Sequence, residues 1–148
     1  MKKLTVFLLL LLITASNALF AQKQTFVAGK VQSSFEAKYG KGLKVSWDKI
    51  ADIYVGRFTN NNQNLEVYYS EEGELLAYAR YIPAPYLPQL VAHAISTKFP
   101  GKNVNEIIEY TSAATGTEYF MHIVNNNVEL FAKSDRDGCI EVLKKIKK

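Results

Sequence analysis

Ile53-Tyr54-Val55-Gly56-Arg57-Phe58-Thr59-Asn60-Asn61-Asn62 and Glu118-Tyr119-Phe120-Met121-His122-Ile123-Val124-Asn125-Asn126-Asn127 are the two stretches on which the fold assignment turns. They align at an offset of 65 residues without a gap. The same offset pairs Leu65 with Leu130, Val67 with Ala132, Glu71-Glu72-Gly73 with Arg136-Asp137-Gly138, and Leu75 with Ile140. Identities are few. The match lies in apolar positions and turns, so chance alignment is the competing reading. Taken at face value, it predicts an internal duplication.

Helical patterns precede both stretches. Val27, Val31, Phe35 and Tyr39 recur every four residues, which marks one face of a helix. Gly40 and Gly42 follow, and glycine commonly ends helices. Leu87, Leu90, Val91, Ala94, Ile95 and Phe99 repeat the pattern. Pro88 suits a first turn, and Pro100-Gly101 stops the helix. Strands are predicted at 43–47, 53–59, 65–70 and 75–82, then at 104–111, 118–124, 128–133 and 139–146. Asn60 to Asn64 makes the first hairpin turn, since asparagine tolerates positive φ. Pro83-Ala84-Pro85 is too stiff to continue a strand and reads as a link. The expected fold is therefore α+β: two tandem repeats, 22–82 and 83–148, each one helix packed on an antiparallel sheet of about four strands, within one continuous domain.

Alternation assigns the strand faces. Tyr54, Gly56, Phe58, Leu65, Val67 and Tyr69 are expected against the first helix, and Tyr119, Met121 and Ile123 against the second. The opposite face then carries Tyr68, Tyr78, Arg80, Phe120, His122, Phe131 and Lys133. Aromatics mixed with arginine are what protein-binding surfaces favour, so Tyr68, Tyr78, Arg80, Phe120, His122 and Phe131 are the candidate partner-binding residues. Plain packing of one sheet on another, or of two copies, would use the same residues.

The N-terminus sets the compartment. Lys2 and Lys3 precede an almost unbroken apolar run, Leu4 to Ile13, and small residues lead to Ala21. This is the pattern of a secretory signal peptide, 1–21, with cleavage after Ala18 or, preferably, Ala21. The run is short of the ~20 residues that span a bilayer. No cysteine follows it, which argues against a lipid anchor. A periplasmic or secreted protein is expected, with no stable membrane insertion after signal removal.

Charge and chemistry narrow the function. The chain carries 18 basic and 14 acidic residues, and two of the basic ones leave with the signal. So small an excess gives nucleic-acid binding no support. Cys139, the only cysteine, cannot form an internal bridge and reads as a small buried hydrophobe. His93 and His122 share no metal-ligand spacing. Asp135-Arg136-Asp137-Gly138 lacks the later ligands of a calcium loop. There is no G-x-S-x-G, P-loop, G-x-G-x-x-G or C-x-x-C. No cofactor, no metal and no enzyme activity are expected. The alternative to a protein-binding module is a small-ligand or envelope-stress binding protein with a pocket between the repeats.

Phe35-x-x-x-Tyr39, Val45-x-Trp47, Tyr54-x-x-x-Phe58, Val67-x-Tyr69, Glu72-Gly73-Glu74-Leu75-Leu76, Leu87-Pro88 and Phe99-Pro100 together resemble the PepSY-like, β-lactamase-inhibitor-like (BLIP-like) secreted proteins of Bacteroidetes-type bacteria. The resemblance spans nearly all of the mature chain and includes the signal ending Leu19-Phe20-Ala21-Gln22. It implies a partner that is an exported enzyme, since PepSY domains are associated with restraining peptidases and the inhibitor-like relatives cover a target enzyme with a sheet face. Gly56, where a larger apolar residue is usual, departs from the pattern, as do Ala132 and Lys133.

Overall fold

The structure, a computed structural model, describes residues 26–125 and 127–147. The expected signal peptide lies outside them. Helix α1 (Gly29–Tyr39) precedes strands β1 (Val45–Ile50), β2 (Ile53–Asn60), β3 (Gln63–Ser70) and β4 (Leu75–Tyr81). A 3-10 turn (Ala84–Tyr86) leads into α2 (Gln89–Lys98). Strands β5 (Asn103–Ser112), β6 (Gly116–Asn125), β7 (Val128–Asp135) and β8 (Ile140–Lys147) follow.

The strands do not form two sheets. All eight belong to one antiparallel sheet in the order β1-β2-β3-β4-β5-β6-β7-β8. The expected pair of helix-on-four-strand repeats is thereby corrected: the molecule is mostly sheet, an eight-stranded meander with two short helices of 11 and 10 residues. The joint is β4–β5, where Ala77, Ala79 and Tyr81 face Ser112, Tyr110 and Ile108. Ile82 extends it by donating its N–H to the Ile107 carbonyl at 3.0 Å. The physical reason is the cost of edges. Two separate sheets would leave β4 and β5 with a row of unpaired N–H and C=O groups each. Alternation within a strand specifies its faces, not its neighbours.

Both helices lie on one face. Val31 and Phe35 of α1 pack with Trp47, Tyr54, Phe58, Val67 and Tyr69. Phe35 meets Trp47 and Phe58 edge-on, with centroids 5.5 and 4.9 Å apart. Val91 and Ile95 of α2 pack with Ile107, Tyr119, Met121, Ile123, Leu130 and Ala132. Tyr54, Phe58, Val67, Tyr69, Tyr119, Met121 and Ile123 lie where alternation places them, and Trp47, whose side the sequence leaves open, joins them. Ala132, expected to be weak for a strand, is buried and contributes to this core.

Gly56 is explained by its neighbour. It faces Trp47 across the β1–β2 ladder, and a Cβ there would lie 2.7 Å from the indole ring. Trp47 fills the space that a larger side chain would occupy. Two turn glycines seat the helices. Gly73, at φ 86°, lies so close that a Cβ would sit 2.8 Å from the Lys30 carbonyl oxygen of α1. Gly138, also at φ 86°, meets the Leu90 carbonyl of α2 in the same way.

Tyr69 is buried beneath α1, and its hydroxyl has no hydrogen-bond partner. Burial pushes this phenol up to about 12, with the nearby Tyr39 adding to the shift. A phenol raised in the folded state favours folding below the unfolded value of about 10. That contribution declines as pH rises from the unfolded value through about 12. Tyr69→Phe removes both the unsatisfied hydroxyl and this dependence. It should leave stability at neutral pH equal or higher by ~1 kcal/mol and flatten the alkaline decline, as read by urea denaturation between pH 8 and 11.

Candidate interaction face

The face opposite the helices carries a third apolar cluster: Val55, Tyr68, Ala77, Ala79, Ile108, Tyr110 and Phe120. Its construction depends on β4. Ala77 and Ala79 are too small to fill the strip between β3 and β5. Aromatic rings from the neighbouring strands therefore meet over them. Tyr68 contacts Tyr110 at 6.0 Å, and Tyr110 contacts Phe120 at 6.1 Å, both edge-on. Such pairs add ~1 kcal/mol beyond their burial.

Ion pairs border this aromatic row. On one side Arg57 donates to Glu66 at 2.7 Å and also to Asp48, while the Tyr68 hydroxyl donates to Glu66. Glu66 is only 7% exposed, and both of its oxygens are engaged. The signal for this network is in the sequence, since Arg57 and Glu66 face one another across the β2–β3 hairpin. Burial first, and then the Glu66 charge, pushes the Tyr68 phenol far above its ordinary value. On the other side Lys133 lies 3.1 Å from Glu118 and 3.5 Å from Glu141. Burial pulls the Lys133 ammonium down, but those two carboxylates outweigh it and hold it above its usual range. His122 stacks on Phe131 with centroids 4.7 Å apart and planes 3° from parallel. Its Nε2 is 3.7 Å from the Glu129 carboxylate and makes no hydrogen bond.

The six sequence-predicted residues divide between the faces. Tyr68, Phe120, His122 and Phe131 share the helix-free face, with Lys133. Tyr78 and Arg80 do not: Tyr78 packs in the α1 cluster, and Arg80 binds Glu109 at 2.7 Å on the helix-bearing face. A β-bulge causes the reversal. Tyr69 pairs with Leu75 and Tyr68 with Ala77, so Leu76 is an extra residue and the alternation of β4 flips after it. Tyr68 and Phe120 share the face yet are only 3% and 4% exposed, so they form its floor. Sequence reasoning missed Glu66, Tyr110 and Tyr81. Tyr81 is 44% exposed and rises beside an open depression of about 690 Å³, whose charged lining is Lys44, Arg57, Arg80 and Glu66.

Other candidate groups offer no catalytic geometry. Cys139 is exposed in the β7–β8 turn, against the expectation of burial. The Asp135 carboxylate accepts from its N–H at 2.9 Å and pushes its thiol up, which disfavours the reactive thiolate. His93 lies exposed on α2, away from His122 on β6. Among the described residues no group of three His, Cys, Asp or Glu side chains is placed to hold a metal ion, and no helix is long and apolar enough to cross a membrane.

Several solved structures with this architecture come from Bacteroides. A BLIP-like protein of Bacteroides fragilis superposes with a TM-score of 0.68 over 84% of this chain and 89% of its own, at 13% identity. It has a BLIP-like fold. The BLIP-like fold recurs in a DUF2874 family protein of Bacteroides ovatus, with a TM-score of 0.71, 17% identity, and 83% and 89% of the two chains covered. It recurs also in a Bacteroides eggerthii protein provisionally placed in the periplasm, with a TM-score of 0.72, 15% identity, and 83% and 90% covered. No protein-family model and no curated protein matches the sequence. The BLIP-like part of the expected resemblance is thus met by structure, whereas the PepSY-like part rests on sequence motifs alone.

Proposed function

We propose that the mature chain works outside the cytoplasm as a non-catalytic binding module, restraining a peptidase or another envelope enzyme by covering it with the helix-free face of its sheet. The observation that carries this reading is the face itself. It is continuous across β4–β5, has a buried aromatic floor, and is rimmed by charged side chains and the exposed Tyr81. The floor is already buried, so a partner would meet the charged rim and Tyr81, and aromatic side chains with arginine are what protein interfaces favour. The BLIP-like fold and the provisionally periplasmic relative add support for an exported protein. The depression beside Tyr81 favours a second reading, capture of a small ligand, although it lies on the open sheet face and not between two halves.

Benzoylphenylalanine in place of Tyr81, and separately in place of the exposed Leu90 on α2, distinguishes the faces in the native envelope. Illumination should give a discrete protein adduct from position 81 and none from position 90. Adducts from position 90 alone, or from neither position, would end this reading.

A further inference from the structure

We infer that the occupant of the helix-free face is a cationic protein segment, with a lysine or arginine side chain seated beside Tyr81. This rests on the reading that the face engages a protein, and it adds the partner's chemistry.

Charge segregation is the first support. Acidic and basic side chains balance among the described residues, 14 of each. The ladder registers nevertheless place seven of those carboxylates and only three of the cations on the helix-free face. Two of those cations are already over-subscribed. Arg57 lies between Asp48 and Glu66, and Lys133 between Glu118 and Glu141. Each group of three therefore keeps a net negative charge. A partner surface of opposite sign is steered onto such a face and fixed in register, whereas a like-charged one is rejected.

The seat beside Tyr81 is the second support. Tyr81 faces Ile108 across the β4–β5 ladder. Glu106, two residues along β5 on the same face, lies diagonal to it on one side. Glu66, opposite Ala79 on β3, lies diagonal on the other. The phenol is raised by burial first and then by these two carboxylates, in keeping with their proximity. An exposed ring beside the Glu106 carboxylate suits a Lys ammonium or Arg guanidinium on the β5 side of Tyr81: the ring face attracts the cation and Glu106 completes its partners, while Glu66 is already held by Arg57 and Tyr68. Glu106 has no ion pair within the described residues, so it is available to serve.

The test titrates the mature protein with oligolysine, and in parallel with oligoglutamate, while backbone amide shifts are followed by NMR. Oligolysine should shift amides of β3, β4 and β5 around Tyr81, and its affinity should fall steeply between ~0.02 M and ~0.15 M salt. Glu106→Lys should weaken it roughly tenfold and Tyr81→Ala severalfold, with both variants keeping the wild-type circular dichroism. Should Glu106→Lys fail to fold, Glu106→Gln serves, with a smaller loss. Oligolysine shifts confined to the helix-bearing face, no saturable oligolysine binding, unchanged affinity in the Glu106 variant, or equal binding of oligoglutamate would each overturn the inference. An adduct from position 81 to an acidic segment would overturn it too while leaving the binding-module reading intact; no adduct from position 81 would remove that reading as well.

Discussion

Gly73→Val should lower the folding free energy by about 3 kcal/mol and the melting temperature by roughly 10 °C. Two costs combine. At φ 86° a β-branched residue is strained in any surroundings. Its Cβ would also lie 2.8 Å from the Lys30 carbonyl oxygen, within the first turn of α1. Backbone cannot swing aside as a side chain can, so α1 must lift from the sheet. Phe35 would then lose part of its edge-on contact with Trp47 and Phe58. Loss of near-ultraviolet circular dichroism ahead of the far-ultraviolet signal would report that lifting. A variant as stable as the parent, with unchanged aromatic signals, would mean that the turn does not rest on α1.

The second large effect belongs to Gly56. Gly56→Val should cost about 3 kcal/mol, measured by urea denaturation, because its Cβ would press on Trp47 at 2.7 Å. Trp47→Leu alone should cost a similar amount through the cavity left beneath α1. The double variant should be clearly more stable than the sum of the two losses, since each change supplies what the other lacks. Additive losses would show that glycine is kept at 56 for its backbone freedom and not for the indole above it.

The sequence is most informative about single elements and least informative about how they join. Both helices and all eight strands fall within a few residues of their expected bounds, because apolar period and turn chemistry are local signals. The faces of β2, β3, β6 and β7 follow for the same reason. β4 breaks the scheme. Its bulge at Leu76 leaves no clear trace in composition, and it moves Tyr78 and Arg80 to the helix side. The union of β4 with β5 was equally hidden, because strand pairing is decided between segments separated by α2. The burial of Tyr68 and Phe120 depends on Tyr110, which meets Tyr68 across the two alanines and Phe120 on the next strand, a four-strand property that a one-dimensional pattern does not contain. Tyr81 reads as one more aromatic in a strand until the depression beside it is seen.

Everything proposed for the binding face requires residues from both halves of the chain to share one sheet surface. Interstrand NOE contacts in the mature protein test this most directly. Cross-peaks joining Ala79 to Tyr110 and Tyr81 to Ile108 are expected, with slow amide exchange along β4 and β5. Fast exchange along both strands without those cross-peaks would mean two separate sheets, and the shared face would not exist.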